Sequence, residues 1–215
     1  MDLSKRPNVS IINMSSGYTD FERAPQDKPG INGIKEYLFK TIYRPKLIEA
    51  FKTVAKAGKV VIIAAGNEGK PIDIPQFLPL GQIGTHELVG YLMQELDPET
   101  RKSIIVAGSY DPDTQKIASY SNKPGSLKNI QEAFLLAPGR YVQQYNNIMW
   151  EGTSFAAPYI CAAIANLTSN RKISPRRAVQ VLKDTAERRP DVGTYGRGII
   201  RADKALELLE RSGGG

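Results

Sequence analysis

The sequence predicts an α/β fold, a parallel sheet with helices on both faces, and three observations lead there. Val60-Val61-Ile62-Ile63-Ala64-Ala65 and Ser103-Ile104-Ile105-Val106-Ala107-Gly108-Ser109 are short, apolar and β-branched, without the polar alternation of a half-exposed strand. A further β-rich run at 9–14, between Pro7-Asn8 and Ser15-Ser16-Gly17, reads as a buried strand. Between the run at 9–14 and that at 60–65, Ile34, Leu38, Ile42, Leu47, Ile48, Phe51, Val54 and Ala55 recur at helical spacing. Strand, helix and buried strand make a βαβ unit, whose strands are parallel and covered on both faces.

The elements follow in order. Residues 18–33, broken by Pro25, Pro29, Gly30 and Gly33, read as a surface loop. Pro45 is expected to divide the helical stretch 34–57, and Gly58 to end it. Pro71, Pro75, Pro79 and Gly81 argue for loop, and 87–96 for a helix with Leu88, Val89, Leu92 and Leu96 on one side. Short strands are expected at 117–121 and 133–137. The almost wholly apolar run Ala157–Leu167 reads as a buried helix, and Pro158 as part of its first turn. Ser174-Pro175 opens another helix, with Ala178, Val181 and Leu182 inward. Residues 193–198 form a turn, Ile199-Ile200 a short edge strand, and Ala202–Leu209 a last amphipathic helix. One domain spans 1–209. A flexible tail at 210–215 includes the linker-like Ser212-Gly213-Gly214-Gly215.

Composition excludes several classes. With 215 residues the chain is long enough for one domain with a real core. Its net charge of +7 comes from scattered pairs such as Arg176-Arg177 and Arg188-Arg189, so no nucleic-acid partner is expected. No apolar stretch is long enough for a membrane span. One cysteine, Cys161, cannot build a disulfide framework and reads as a buried small hydrophobe. One histidine and one cysteine do not make a zinc site, and no metal ligands are assigned.

The chemistry-bearing stretch is Glu151-Gly152-Thr153-Ser154-Phe155-Ala156-Ala157-Pro158, which places Ser154 at or near the start of the buried helix. A hydroxyl there is either a helix cap or a nucleophile whose own N–H and helix end face a developing oxyanion. Asn67, in Gly66-Asn67-Glu68-Gly69, reads alone as a turn residue.

Taken together these motifs resemble those of the subtilisin-like serine peptidases. Gly-Thr-Ser-x-Ala-x-Pro is similar to that family's nucleophile motif, the 60–69 segment to its strand ending in the oxyanion asparagine, and 9–17 to its substrate-pairing strand. Ala118-Ser119-Tyr120-Ser121-Asn122, Leu136-Ala137-Pro138-Gly139 and Tyr195-Gly196-Arg197-Gly198 continue the likeness in the same order. The resemblance implies a serine endopeptidase acting on polypeptides. Ser154 would be the nucleophile and Asn67 an oxyanion donor. Ser15, Ser16 and Gly17 would pair with substrate backbone, and Ala64, Ala65 and Gly66 would wall the pocket. Tyr159 and Ser16 stand where the family often has histidine and leucine. No cofactor is evident; calcium is implied by the resemblance alone, with no dense Asp/Asn loop to hold it.

A serine also needs a base, commonly histidine oriented by a carboxylate. By the resemblance both precede the segment starting at Val9, where Asp2 stands without histidine. The one histidine, His86, lies after Asn67, out of the family's order, and reads as a surface or capping residue. The expectation is therefore the carboxyl-terminal portion of a subtilisin-like catalytic domain, incomplete at its N-terminal side. Its Asp and His would come from an upstream segment or a companion chain, and this chain alone would be inactive. The alternatives are a pseudoprotease that binds peptides or a partner, and a structural module whose serine is only a cap.

Overall fold

The computed structural model describes residues 3–15, 44–72, 85–143 and 148–211. The 18–33 loop, residues 34–43, most of the 70–84 loop, Ser16, Gly17 and residues 212–215 lie outside the described residues.

The strands are β1 (Ile11–Met14), β2 (Val60–Ala64), β3 (Ile104–Asp111), β4 (Lys116–Ile117) and β5 (Phe134–Pro138). β1, β2, β3 and β5 lie side by side and parallel, while β4 folds back antiparallel onto the end of β3. Ile11 pairs with Val60, Val61 with Ile104, and Val106 with Phe134. The helices are α1 (Arg44–Lys56), α2 (Thr85–Glu95), α3 (Pro98–Arg101), α4 (Lys128–Ala133), α5 (Thr153–Arg171), α6 (Pro175–Thr185), α7 (Val192–Tyr195) and α8 (Ala202–Arg211).

Alternation along the strands divides the core into two layers. Val60, Ile62, Ala64, Ile105, Ala107, Leu135 and Ala137 pack with α5, α6 and α8. Val61, Ile63, Ala65, Ile104, Val106, Phe134 and Leu136 pack with α1, α2 and α4. All of β2 is buried, as its unbroken apolar run requires. β1 is different: it is half-buried to exposed, and its outer edge pairs with nothing among the described residues. Among the described residues the sheet is thus open on the β1 side. Lys59 anchors the approach to that strand, its Nζ donating to the Val9 carbonyl at 2.7 Å and to the Arg6 carbonyl.

Pro45 occupies the first turn of α1, where its missing N–H removes no helical bond, as suits a proline that opens the longer part of the 34–57 stretch; the part before Arg44 lies outside the described residues. Several expectations change. The strand expected at 117–121 shrinks to β4, because residues 118–122 turn away to hydrogen-bond the loop after β2. Residues 140–143 and 148–151 pair as an antiparallel ribbon of β6 (Arg140–Gln143) and β7 (Ile148–Glu151). Ile199 makes single bridges to Leu136 and Glu187 instead of a strand. The last helix runs on to Arg211. Cys161 is partly buried, and burial raises its pKa to about 11, so it stays a thiol.

Candidate active site

Two loops meet where the parallel strands end. One leaves β2 through Ala65-Gly66-Asn67; the other leaves β7 through Gly152 into α5. Crevices at the carboxyl ends of parallel strands are where open α/β sheets bind ligands.

The junction is made by Thr153 and Asn67. Asn67 Oδ1 accepts from the Thr153 N–H at 2.8 Å and from its hydroxyl at 3.0 Å. The Gly66 N–H donates to Thr153 Oγ1 at 3.1 Å. A backbone N–H can only donate, so the Asn67 atom facing Thr153 is the oxygen, and Nδ2 turns the other way. That way lies Ser154. A Cβ built on Gly152 would stand 3.0 Å from Ser154 Oγ and 3.4 Å from Asn67 Nδ2. The hydroxyl and the carboxamide nitrogen thus border one small space, which Gly152 keeps open by having no side chain.

Gly152 is the N-cap of α5, without a side-chain cap of its own, and Ser154 is the second helical residue. Asn67 Oδ1 therefore caps the helix from a distant loop. The Ser154 N–H has no acceptor among the described residues. Pro158 is not in the first turn; it lies inside α5, four residues after Ser154. A proline there leaves the Ser154 carbonyl without its helical N–H. The Ser15 hydroxyl reaches that carbonyl at 3.2 Å, and also lies 2.9 Å from Asn13 Oδ1. This contact brings the exit of β1 beside the serine.

The Asn67 loop is held from behind by Asn122. Its Oδ1 accepts from the Glu68 and Lys70 N–H groups at 3.2 and 2.9 Å. Its Nδ2 donates to the Ala65 carbonyl at 2.9 Å and to Glu68 Oε2. On the other side, the Gly139 carbonyl accepts from the Gly152 N–H at 2.9 Å and from the Tyr120 hydroxyl at 3.1 Å. A Cβ at Gly139 would fall 1.9 Å from Ser109 Oγ, so only glycine fits. Burial raises the pKa of Tyr120, whose hydroxyl stays protonated and 2.8 Å from Ser109 Oγ. Asn122, Gly139 and Tyr120 were visible in the sequence only as parts of motifs; their positioning role depends on contacts across the fold.

The structure brings together Ser154, Asn67, Ser15 and the Ala64–Gly66 backbone. The side chains of Ala64 and Ala65 are buried in opposite core layers. Ser16, Gly17 and the His86 side chain lie outside the described residues. The backbone at His86 belongs to α2, which packs on the face of the sheet opposite α5.

Comparison with known proteins gives the family and the fold. The family model described as the Subtilase family matches residues 2–207. The chain is 30% identical over 174 residues to serotype-specific antigen 1 of Mannheimia haemolytica, covering 74% of this chain and 17% of that protein. The protease domain of PatA has a similar fold, with a TM-score of 0.61 at 20% identity, over 97% of this chain and 62% of that one. The epidermin leader peptide processing serine protease EpiP of Staphylococcus aureus has a TM-score of 0.57 at 18% identity, over 93% of this chain and 50% of that one. The chain therefore spans less than two thirds of each of these relatives.

Proposed function

The chain belongs to the subtilase family, and from that premise we propose that it supplies the nucleophile, oxyanion hole and part of the substrate cleft of a serine endopeptidase. Ser154 Oγ attacks the scissile carbonyl carbon, and a histidine contributed from outside this chain takes the hydroxyl proton, held in orientation by an aspartate from the same source. The negative charge that gathers on the carbonyl oxygen is met by the Ser154 N–H and Asn67 Nδ2. The protonated base then gives its proton to the leaving amine, and water releases the acyl group. Ser15-Ser16-Gly17 pairs with substrate backbone as an added strand edge, and the backbone of Ala64-Ala65-Gly66 walls the cleft beside the scissile bond. These steps call for no cofactor.

The observation that carries this reading is the space at Gly152, bordered at once by the Ser154 hydroxyl and the Asn67 amide nitrogen. The place for a further segment is supported by the edge of β1, which no described strand pairs with, and by α5, which exposes Pro158 and Tyr159 beside it. An exposed apolar strand edge invites pairing with another strand.

A second reading, a catalytically inactive pseudoprotease that binds peptides or a partner, is favoured by one observation. The only histidine lies on α2, across the sheet from α5. Labelling with a fluorophosphonate probe separates the two. The chain expressed with the coding sequence upstream of Met1, or with a candidate companion, is expected to label at Ser154 and cleave peptides, while Ser154→Ala does neither. Peptide binding without labelling, unchanged by Ser154→Ala, gives the second reading instead.

A further inference from the structure

At the opposite end of the sheet, beside the start of β3, lies a cavity of about 280 Å³ with a cationic wall. Arg101 and Lys102 come from the end of α3, Lys183 from α6 and Arg197 from the turn after α7, against one carboxylate, Glu132 of α4. Lys183 is only 6% exposed, and its Nζ donates to the Ile104 carbonyl at 2.8 Å. An ammonium has three donors, and burying it without a counter-charge is costly. Arg197 adds a second donor in need of an acceptor. Its Nε–H is buried without a partner among the described residues, and its Nη2 reaches Asp184 Oδ1 only at 3.5 Å. Arg101 and Lys102 are already engaged, by the Met93 and Leu96 carbonyls and by Glu99, so they contribute field more than free donors.

We propose that this cavity binds a compact oxyanion, a phosphate or carboxylate group, held by the Lys183 ammonium and the Arg197 Nε–H. Such a group supplies the acceptors both side chains lack and the charge that a buried ammonium requires. The site is remote from Ser154 and does not depend on the catalytic reading. Binding is linked to the protonation of Lys183. Burial, then repulsion from Arg197, lowers the Lys183 pKa to about 7, while Glu132 and Asp184 act in the opposite direction. Arg101 and Lys102 also line the cavity and oppose protonation. An anion reverses the balance, so affinity rises as pH falls through about 7.

Calorimetric titration of the chain with sulfate, at constant ionic strength set by chloride, tests this. Sulfate keeps its charge over the range and stands in for phosphate; acetate, titrated separately, stands in for a carboxylate. Saturable binding is expected, roughly tenfold tighter near pH 6 than near pH 8. Arg197→Gln and Lys183→Met should each weaken it by about tenfold or more. Arg197 is partly exposed, so its variant keeps the test valid if Lys183→Met fails to fold. Binding by sulfate alone assigns a phosphate-like ligand and binding by acetate alone a carboxylate; either supports the site. No saturable binding beyond chloride, binding retained by Arg197→Gln, or affinity indifferent to pH would overturn it.

Discussion

Where β2 and β3 finish, polar side chains are tied to one another: Asn67 to Thr153, Asn122 to the backbone around Asn67, Ser109 to Tyr120. Where β3 begins, Lys183 is buried against one carbonyl, beside an Arg197 Nε–H with no acceptor among the described residues. At the first end almost every donor has its acceptor among the described residues; the Ser154 N–H has none there, and Asn67 Nδ2 borders the same space as the Ser154 hydroxyl. At the second, the surplus is positive charge inside a cavity. Polar groups that are fully partnered hold a geometry; polar groups left in deficit seek a ligand.

Five substitutions break or sharpen that contrast. Ser154→Ala in the assembled enzyme should abolish fluorophosphonate labelling and peptide cleavage while leaving the melting temperature nearly unchanged, since its hydroxyl caps no helix. Asn67→Asp should come next. It keeps an oxygen to cap Thr153 but removes Nδ2, and loss of one such donor costs about 2.7–4 kcal/mol of transition-state stabilisation. The loss should fall on kcat. Asn67→Ala should lower kcat similarly and also destabilise by about 1 kcal/mol through the missing cap, measurable by urea unfolding.

At the other end, Lys183→Met should flatten the pH dependence of stability. The folded pKa lies near 7, below the 10.5 of a free lysine. The unfolded chain therefore binds the extra proton between these values, and wild-type stability rises with pH across that window. An unchanged slope in Lys183→Met would place the titration elsewhere. The smallest effect is expected for Asn122→Ala. It leaves the Glu68 and Lys70 N–H groups and the Ala65 carbonyl without their partner, for about 1–3 kcal/mol of stability and a larger KM as the Asn67 loop loosens.

The end that carries Ser154 and Asn67 was the more legible of the two in the sequence. Short-range patterns mark it: a glycine, a threonine and a serine before an apolar helix, and an asparagine at the end of an unbroken apolar strand. The buried lysine left no such mark, because Lys183 stands in a helix where a charged residue normally faces water. Only the packing of α6 against the start of β3 turns it inward. Pro158 is similar. The local rule puts a proline in the first turn, and the Ser15 hydroxyl, distant in sequence, is what satisfies the carbonyl that the rule would leave bare.

The amino-acid sequence alone therefore determined the central parallel strands, the main helices and the family, because these follow from periodicity and from residue types a few positions apart. What tertiary structure alone decided is which atom of Asn67 faces Ser154, what holds its loop, and which cation is buried. Each of these depends on residues far apart in the chain, whose hydrogen bonds are chosen only when the sheet brings them within about 3 Å of one another.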